Sequence, residues 1–268
     1  MKHLILSIFA LMTAILFATG DGIAAEFADR YDSLEKCEWK SPNGTLLYRK
    51  LTPPDLKPGE KYPLLIFLHG AGERGNNNIS QVAGQDSFLN LVWSEEGSKY
   101  PCYVIAPQCP SGKKWCEVDW SLPETHVTPE EPSYAMGLLH ELLQDLKAKD
   151  QIDPKRIYVT GISMGGYGTY DFLVRYPEEV AAAIPVCGGG DNEKLATTPG
   201  LKDIPVQIFH GSADGAVPPQ RSRNAYAALK KNGCDVKYTE YPGVGHGCWF
   251  QAYKTPGLAD WMFAQKKK

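Results

Sequence analysis

A serine stands in a short glycine-rich string whose spacing suits a reactive hydroxyl. Residues 161–165 read Gly-Ile-Ser-Met-Gly, which is a GxSxG motif. An apolar run at 157–160 leads into the motif, and a helical pattern follows at once. This context predicts a strand–turn–helix elbow that presents Ser163 above a sheet, with glycine needed on both sides because the turn is tight. The alternative is a glycine-rich turn with an idle serine.

A serine hydroxyl needs a base before it acts as a nucleophile at neutral pH. Among the six histidines, His246 is the strongest candidate, because it stands between two glycines after the last predicted strand. Flanking glycines predict a loop from which the imidazole projects. His69 and His210 each end an apolar run and precede a glycine, which indicates a role in organising loops. Weaker candidates are His3, His126 and His140.

The base in turn needs a carboxylate that orients it. Asp214 follows the apolar run at 206–209, which places it at the edge of a sheet where open α/β sheets bind ligands. The rival is Asp191, which follows the run at 180–186 through three glycines. The order Ser163, Asp214, His246 matches the order serine, acid, histidine of α/β hydrolases.

Acyl transfer also needs hydrogen-bond donors for a developing oxyanion. The backbone N–H of Met164, next after Ser163, is one candidate. We expect the other to be the N–H of Ala71, in the glycine-rich loop at 70–75 that follows a predicted strand. A phosphate-binding role for this loop is disfavoured because the loop lacks the lysine of a Walker motif.

Regularly alternating elements surround these residues. Short apolar runs typical of buried strands occur at 45–51, 64–69, 103–106, 157–160, 180–186, 206–209 and 236–241. Helical spacing of apolar residues occurs at 134–149, 164–176, 220–231 and 258–264. Alternation of this kind predicts an α/β fold, with a mostly parallel central sheet and helices on both faces.

Two stretches are predicted to shape the pocket. They are residues 80–97 and residues 108–132, and the second is the longest stretch of the chain without clear periodicity. Tryptophans argue for ordered structure there, because a large apolar side chain buries readily. Trp115, Trp120 and Trp249 are expected either to line a substrate site or simply to pack.

Composition and the N-terminal segment bound the remaining possibilities. The chain has 268 residues, a formal net charge of −3 and no basic stripe, which argues against nucleic acid as a partner. Lys2 precedes an uncharged run at 4–18, and Ala24 and Ala25 follow. This pattern predicts a cleavable signal peptide at 1–25 and one secreted or periplasmic domain at 26–268. The rival is an uncleaved anchor, although the run is short for a span of about 20 residues.

All seven cysteines follow the predicted signal. An oxidising destination permits disulfides, and an odd count leaves at least one thiol unpaired within the chain. Cys109 and Cys116 bracket a short loop and are the preferred pair. No cysteine and histidine spacing indicates a zinc site.

Four segments together resemble one group within the α/β hydrolases. The group comprises secreted bacterial esterases often labelled predicted peptidases, related to phospholipase/carboxylesterase and dienelactone-hydrolase-like proteins; feruloyl and polyester-cleaving esterases look similar around the elbow. The matching strings are LHGAGERG at 68–75, GISMGGYGT at 161–169, FHGSADGAVP at 209–218 and GVGHGCW at 243–249. The resemblance covers roughly residues 45–265.

This resemblance implies a catalytic triad of Ser163, Asp214 and His246, with oxyanion donors at Ala71 and Met164. It also implies no metal, no organic cofactor and an ester substrate, either a small molecule or part of a polymer. Dienelactone hydrolases proper use a cysteine nucleophile, so the serine here argues against that activity.

Three other functions stay open at this point. A peptidase would use the same triad on small peptides. An acyltransferase would replace water by an alcohol. A non-catalytic protein of this fold would bind envelope material or glycans.

Overall fold

Eight strands form one sheet in the described part of the chain. The structure is a computed structural model that describes residues 31–120 and 122–268, so the predicted signal at 1–25 lies outside the described residues. The strands are β1 (Glu35–Ser41), β2 (Gly44–Leu51), β3 (Tyr62–Leu68), β4 (Tyr103–Pro107), β5 (Ile152–Ile162), β6 (Ala182–Val186), β7 (Val206–Gly211) and β8 (Val236–Tyr241).

The sheet is mostly parallel. Its strand order is β1-β2-β4-β3-β5-β6-β7-β8. Strand β2 runs antiparallel to both β1 and β4, whereas all the pairs formed among β3 to β8 are parallel. Parallel pairing brings the carboxyl ends of β5, β6, β7 and β8 to one edge, and confirms the predicted architecture.

Apolar side chains cover both faces of the sheet. Successive residues of a strand point to opposite faces, and in β3 this divides one continuous apolar run between two cores. Leu64, Ile66 and Leu68 belong to one buried cluster, whereas Leu65 and Phe67 belong to the other. The run therefore shows no alternation of polar and apolar residues, as expected for a strand buried on both faces.

Helices pack on both faces. They are α1 (Asn90–Trp93), α2 (Tyr134–Lys149), α3 (Met164–Arg175), α4 (Asn192–Thr197), α5 (Gln220–Asn232), α6 (Trp249–Ala252) and α7 (Leu258–Ala264). Helices α2, α3 and α5 contribute to the first core, and α1 and α7 to the second. The predicted cap of α2 is present, since Ser133 Oγ accepts the N–H of Met136 at 3.1 Å. Gly233, at φ 92°, ends α5 as predicted.

The predicted pairing of Cys109 with Cys116 is wrong in this structure. All seven cysteines are free thiols. Cys109 is buried in the core, whereas the Cys116 thiol donates to Asp171 Oδ1 at 3.4 Å. The loop between the two cysteines is thus closed by packing and hydrogen bonds.

No membrane-spanning helix is found between residues 31 and 268 where the chain is described. The helices there are too short or too polar to cross a bilayer.

Candidate active site

The turn between β5 and α3 holds its serine in an unusual conformation. Ser163 has φ 54° and ψ −118°, in a region that residues other than glycine rarely adopt. Such a conformation costs about 1–3 kcal/mol and persists only where the surroundings enforce it. Here the backbone N–H of Ser163 donates to the carbonyl of Val186 at 3.0 Å, which ties the turn to β6.

The glycines of the GxSxG motif allow close contact between backbones. A Cβ on Gly165 would lie 1.8 Å from the carbonyl oxygen of Leu68, and a Cβ on Gly161 would lie 2.3 Å from the carbonyl oxygen of Gly165. Neither distance is possible for a real side chain. The collision predicted from the sequence is therefore present at both positions.

Three side chains that are far apart in the sequence meet at this turn. His246 Nε2 lies 2.9 Å from Ser163 Oγ, and His246 Nδ1 lies 2.7 Å from Asp214 Oδ2. The Trp249 ring contacts the imidazole edge-on, with ring centroids 5.4 Å apart. The geometry therefore forms a continuous hydrogen-bonded chain from hydroxyl to imidazole to carboxylate.

The carboxylate of Asp214 is buried and held by several donors. It follows β7, and its Oδ1 accepts the N–H groups of Ala216 at 2.8 Å and Val217 at 2.9 Å. Burial raises the pKa of Asp214, but hydrogen bonds from His210, His246 and the two backbone groups outweigh burial, so this pKa lies well below the usual range. Asp214 is consequently ionised at neutral pH, as a partner of an imidazolium must be.

The rival acid has a different role. Asp191 is the N-cap of α4, where its Oδ1 accepts the N–H groups of Glu193 and Lys194, both at 3.1 Å. Its Oδ2 accepts the N–H of Thr128 at 2.8 Å. These contacts occupy the carboxylate in local structure, away from His246.

Both backbone positions predicted to bind an oxyanion border the same cavity as Ser163. Met164 is the first residue of α3, and Ala71 is the first residue of a short 3₁₀ helix, Ala71–Glu73. N–H groups at the start of a helix have no partner within the helix. A Cβ on Gly70 would lie 3.7 Å from Ser163 Cβ, so the loop passes close to Ser163.

The cavity at this point has a volume of about 330 Å³. Its walls are mainly apolar, with one polar side formed by Glu73 and Gln85. Sequence reasoning missed both polar residues as individuals, although Gln85 lies in the stretch at 80–97 that was predicted to shape the pocket. The apolar wall consists of Trp120, Ile162, Met164, Tyr167, Val217 and Trp249.

Two of the three tryptophans predicted at the substrate site border the cavity, and one does not. Trp120 and Trp249 are lining residues. The expectation for Trp115 as a substrate-binding residue is wrong, because its side chain is 0% exposed and lies in the core. Its indole N–H donates to the carbonyl of His69 at 3.1 Å, so this side chain supports the loop at 70–75 from below.

The wall that carries Trp120 is anchored through its backbone. Arg175 donates to the carbonyl oxygens of Pro129 and Glu130, both at 2.7 Å. Arg221, which is fully buried, donates to the carbonyl oxygen of Leu122 at 3.1 Å. Residues 108–120 and 122–132 are thus fixed to helices α3 and α5, as expected for an ordered loop.

Among the described residues, one group has the composition of a metal site. Ligand atoms of Cys187, Asp214 and His246 lie within 4.8 Å of one another. Asp214 and His246 are already hydrogen-bonded to each other. Burial, together with the neighbouring Cys248 thiol, raises the pKa of Cys187 well above its usual value. A protonated thiol is a poor metal ligand. The group therefore fits a proton-transfer site better than a metal centre.

His69 fixes the loop at 70–75 in its neutral form. Its Nδ1 lies 2.6 Å from the carbonyl oxygen of Gly70, so Nδ1 carries the hydrogen, and its Nε2 accepts the N–H of Cys109 at 2.9 Å. Burial lowers the pKa of His69 to about 4. A second proton, on Nε2, would face the N–H of Cys109.

This histidine should make the protein sensitive to mild acid. Because the pKa of His69 is lower in the folded than in the unfolded state, stability present above pH 6.5 is lost as the pH falls toward 4. Through this side chain, the free energy of unfolding should fall by about 2 kcal/mol between pH 7 and pH 5. Urea unfolding at both pH values measures it, and in His69→Asn, which keeps a donor near Gly70 but does not titrate, the loss should shrink by that amount. An unchanged loss in the variant would contradict the assignment.

Comparison with known proteins identifies the family. A profile of the phospholipase/carboxylesterase family matches residues 56–254, most of the chain. The chain belongs to this family. As a member of the phospholipase/carboxylesterase family it is an α/β hydrolase of the esterase group.

Individual relatives of this family member agree with that assignment. It is 25% identical to poly(3-hydroxyalkanoate) depolymerase C of Paucimonas lemoignei, in an alignment that covers 93% of the chain and 59% of the depolymerase. It is 26% identical to a probable carboxylesterase of Oryza sativa subsp. japonica, over 69% of the chain and 81% of the relative. A solved thermostable esterase superposes with a TM-score of 0.79 at 38% identity, over 88% of the chain and 64% of that structure. The chain thus spans only part of the length of the depolymerase and of the thermostable esterase.

Proposed function

We propose that the chain is a secreted serine carboxylesterase that cleaves carboxylic esters through an acyl-enzyme intermediate. The observation that carries the proposal is the continuous chain of hydrogen bonds from Ser163 through His246 to Asp214, at 2.9 Å and 2.7 Å, on the edge of an apolar cavity. This arrangement matches the geometry by which a serine is activated in acyl transfer.

The proposed reaction has two halves. His246 Nε2 takes the proton of Ser163 Oγ as this oxygen attacks the ester carbonyl, and the imidazolium then gives the proton to the leaving alcohol. Water next attacks the acyl-enzyme with His246 again as the base, which releases the acid and restores the serine. Asp214 stays ionised throughout and stabilises the imidazolium.

The tetrahedral oxyanion is proposed to bind to the backbone N–H groups of Ala71 and Met164. Ala71 begins a short 3₁₀ helix and Met164 begins α3, both at the cavity that Ser163 borders, and the first N–H groups of a helix have no partner within it. Fixed donors of this kind stabilise charge as it develops, at no cost of reorganisation.

The cavity and the relatives favour an ester over a peptide. A volume of about 330 Å³ is at the small end for ligand sites, and its apolar wall suits a short acyl group or one unit of a polymer-linked ester. One relative is named a carboxylesterase and another a polyester depolymerase. Ester alcohols also leave more easily than amines, so an ester needs less help with its leaving group than a peptide does.

The remaining elements of the proposal concern processing and partners. The uncharged run after Lys2 supports a signal peptide at 1–25, followed by one catalytic domain at 26–268. The proposed partner is a small-molecule or polymer-linked ester, with neither nucleic acid nor stable membrane insertion required.

Active-site labelling tests the proposal directly. The purified protein is mixed with a p-nitrophenyl ester in a stopped-flow instrument, and the expected result is a burst of p-nitrophenol that matches the enzyme concentration. A fluorophosphonate should block the burst and add its mass to the peptide that contains Ser163. Absence of both the label and turnover would instead indicate a binding protein, and faster cleavage of peptide amides than of esters would indicate a peptidase.

A further inference from the structure

The Asp214 carboxylate is in hydrogen-bond contact with a second imidazole, that of His210. Asp214 Oδ2, which receives His246 Nδ1 at 2.7 Å, also lies 3.1 Å from His210 Nε2. The side chains of Asp214 and His210 are both fully buried. His210 comes from β7, four residues before the aspartate, and so belongs to the rigid part of the fold.

Hydrogen bonding fixes the tautomer and the orientation of this second ring. His210 Nε2 lies 3.0 Å from the carbonyl oxygen of Val217 as well as close to Asp214 Oδ2. Both neighbours only accept hydrogen bonds, so Nε2 must carry a hydrogen. On the other side of the ring, Nδ1 lies 2.7 Å from the hydroxyl of Ser222, which is fully buried. This hydroxyl, which also lies 3.3 Å from the carbonyl oxygen of Gly188, holds the Nδ1 side of the ring in place.

The two oxygens of the carboxylate are held by different means. Backbone N–H groups of Ala216 and Val217 hold Oδ1, whereas the two imidazoles hold Oδ2. Bonds to Oδ1 alone leave the carboxylate free to rotate about its terminal torsion, which is intrinsically soft. His210 supplies the second fixed point, and thereby sets the direction from which Oδ2 meets His246.

We propose that His210 is a positioning residue for the proposed esterase reaction. It acts through Asp214: by donating from Nε2 it holds Oδ2 where His246 Nδ1 needs it, with Ser222 as the support for the ring. The inference rests on the proposed function, since it assigns a role within the same site. His210 is not a lining residue of the cavity, and its one contact with a lining residue is to the backbone carbonyl oxygen of Val217. Its loss should therefore affect the chemical step and leave substrate binding almost unchanged.

Two substitutions of His210 distinguish a role in positioning Asp214 from a role in packing alone. His210→Leu fills the space but has no donor, whereas His210→Gln places an amide N–H at nearly the same distance along the side chain as Nε2. We expect kcat for a p-nitrophenyl ester to fall about 10–100-fold in His210→Leu with KM within about twofold, the size typical for loss of a group that orients an active residue. Gln should restore most of kcat, and His140→Leu on helix α2 is the matched control, expected to behave as the parent.

The outcomes distinguish this inference from the proposed function. If the parent is labelled at Ser163 and hydrolyses the ester, but His210→Leu keeps full kcat or Gln is no better than Leu, the positioning role is overturned while the esterase stands. If the parent is neither labelled nor active, the esterase proposal itself fails. Should the Leu variant not fold, Ser222→Ala decides, with kcat expected to fall about fivefold at unchanged KM through loss of one orienting hydrogen bond; an unchanged kcat overturns the inference.

Discussion

Alanine at Ser163 is expected to lower kcat for a p-nitrophenyl ester by about 10⁴–10⁶-fold, the range for loss of a triad nucleophile. The reason is that no covalent intermediate can form when Oγ is absent, while the loop at 70–75 and the cavity walls keep their positions. The residual rate would then come from oxyanion binding and proximity alone. Initial rates over a range of ester concentrations, with circular dichroism on the same samples, provide the measurement.

The design includes a matched serine and a double variant. Ser98→Ala removes an exposed hydroxyl that donates to the carbonyl of Glu95 at 3.3 Å, and should leave kcat unchanged. When several residues act as one catalytic unit, the effects of substituting them on kcat are not additive. The double variant Ser163→Ala with His246→Ala is therefore expected to be about as slow as Ser163→Ala alone. A Ser163→Ala protein within tenfold of the parent would rule out the proposed nucleophile.

Alanine at Gly165 is expected to prevent stable folding, which is the second large effect. The added Cβ would lie 1.8 Å from the carbonyl oxygen of Leu68, 2.4 Å from the carbonyl carbon of Leu68 and 2.8 Å from the carbonyl oxygen of His69. All three atoms are backbone atoms of β3 or its end, so no flexible side chain can yield. Relief would require α3 to move off the sheet at the very point where the nucleophile is held.

The same glycine-to-alanine substitution in another helix should stabilise the protein. Gly137 lies in α2, where the nearest atom to an added Cβ is Pro132 Cγ at 3.8 Å, an ordinary contact. Alanine is favoured over glycine inside a helix by about 1 kcal/mol. Gly137→Ala should therefore raise the melting temperature, whereas Gly165→Ala should yield insoluble protein or no cooperative transition. A soluble Gly165→Ala protein that melts like the parent would show that the close approach of α3 and β3 is not as tight as the structure has it.

The buried strands could be predicted from sequence because each is a short apolar run bounded by turn residues. The edge strand β1 could not, since its sequence Glu-Lys-Cys-Glu-Trp-Lys-Ser is mostly charged and its exposed face carries no apolar signal. Strand β1 is defined by antiparallel pairing with β2 across a tight turn. The Asn43-Gly44 dipeptide, at the turn where β2 begins, is the available hairpin signal.

Within the site, the sequence indicated which residues would meet but not how each is supported. Ser163, Asp214 and His246 all follow strands that end at one edge, so a motif and its order along the chain were sufficient. The sequence could not decide whether Trp115 lines the site or packs, because its burial depends on the path of residues 108–120 and 122–132, which have no periodicity to follow. The contact between His210 and Asp214 depends on how the turn after β7 folds back, so the sequence indicates only a histidine that organises a loop.

Anchoring of the Trp120 wall through its backbone has a consequence for how the substrate range of this protein could change. The arginines at 175 and 221 and the carboxylate of Asp191 bind carbonyl oxygens or an N–H of the wall, which nearly every amino acid provides. Side chains at the positions held in this way are therefore free to vary, whereas Trp115, Cys116 and His126 make side-chain hydrogen bonds of their own. Substrate range can drift by single substitutions in this segment while the nucleophile and its base stay untouched, which makes the wall the natural place for a selection experiment to begin.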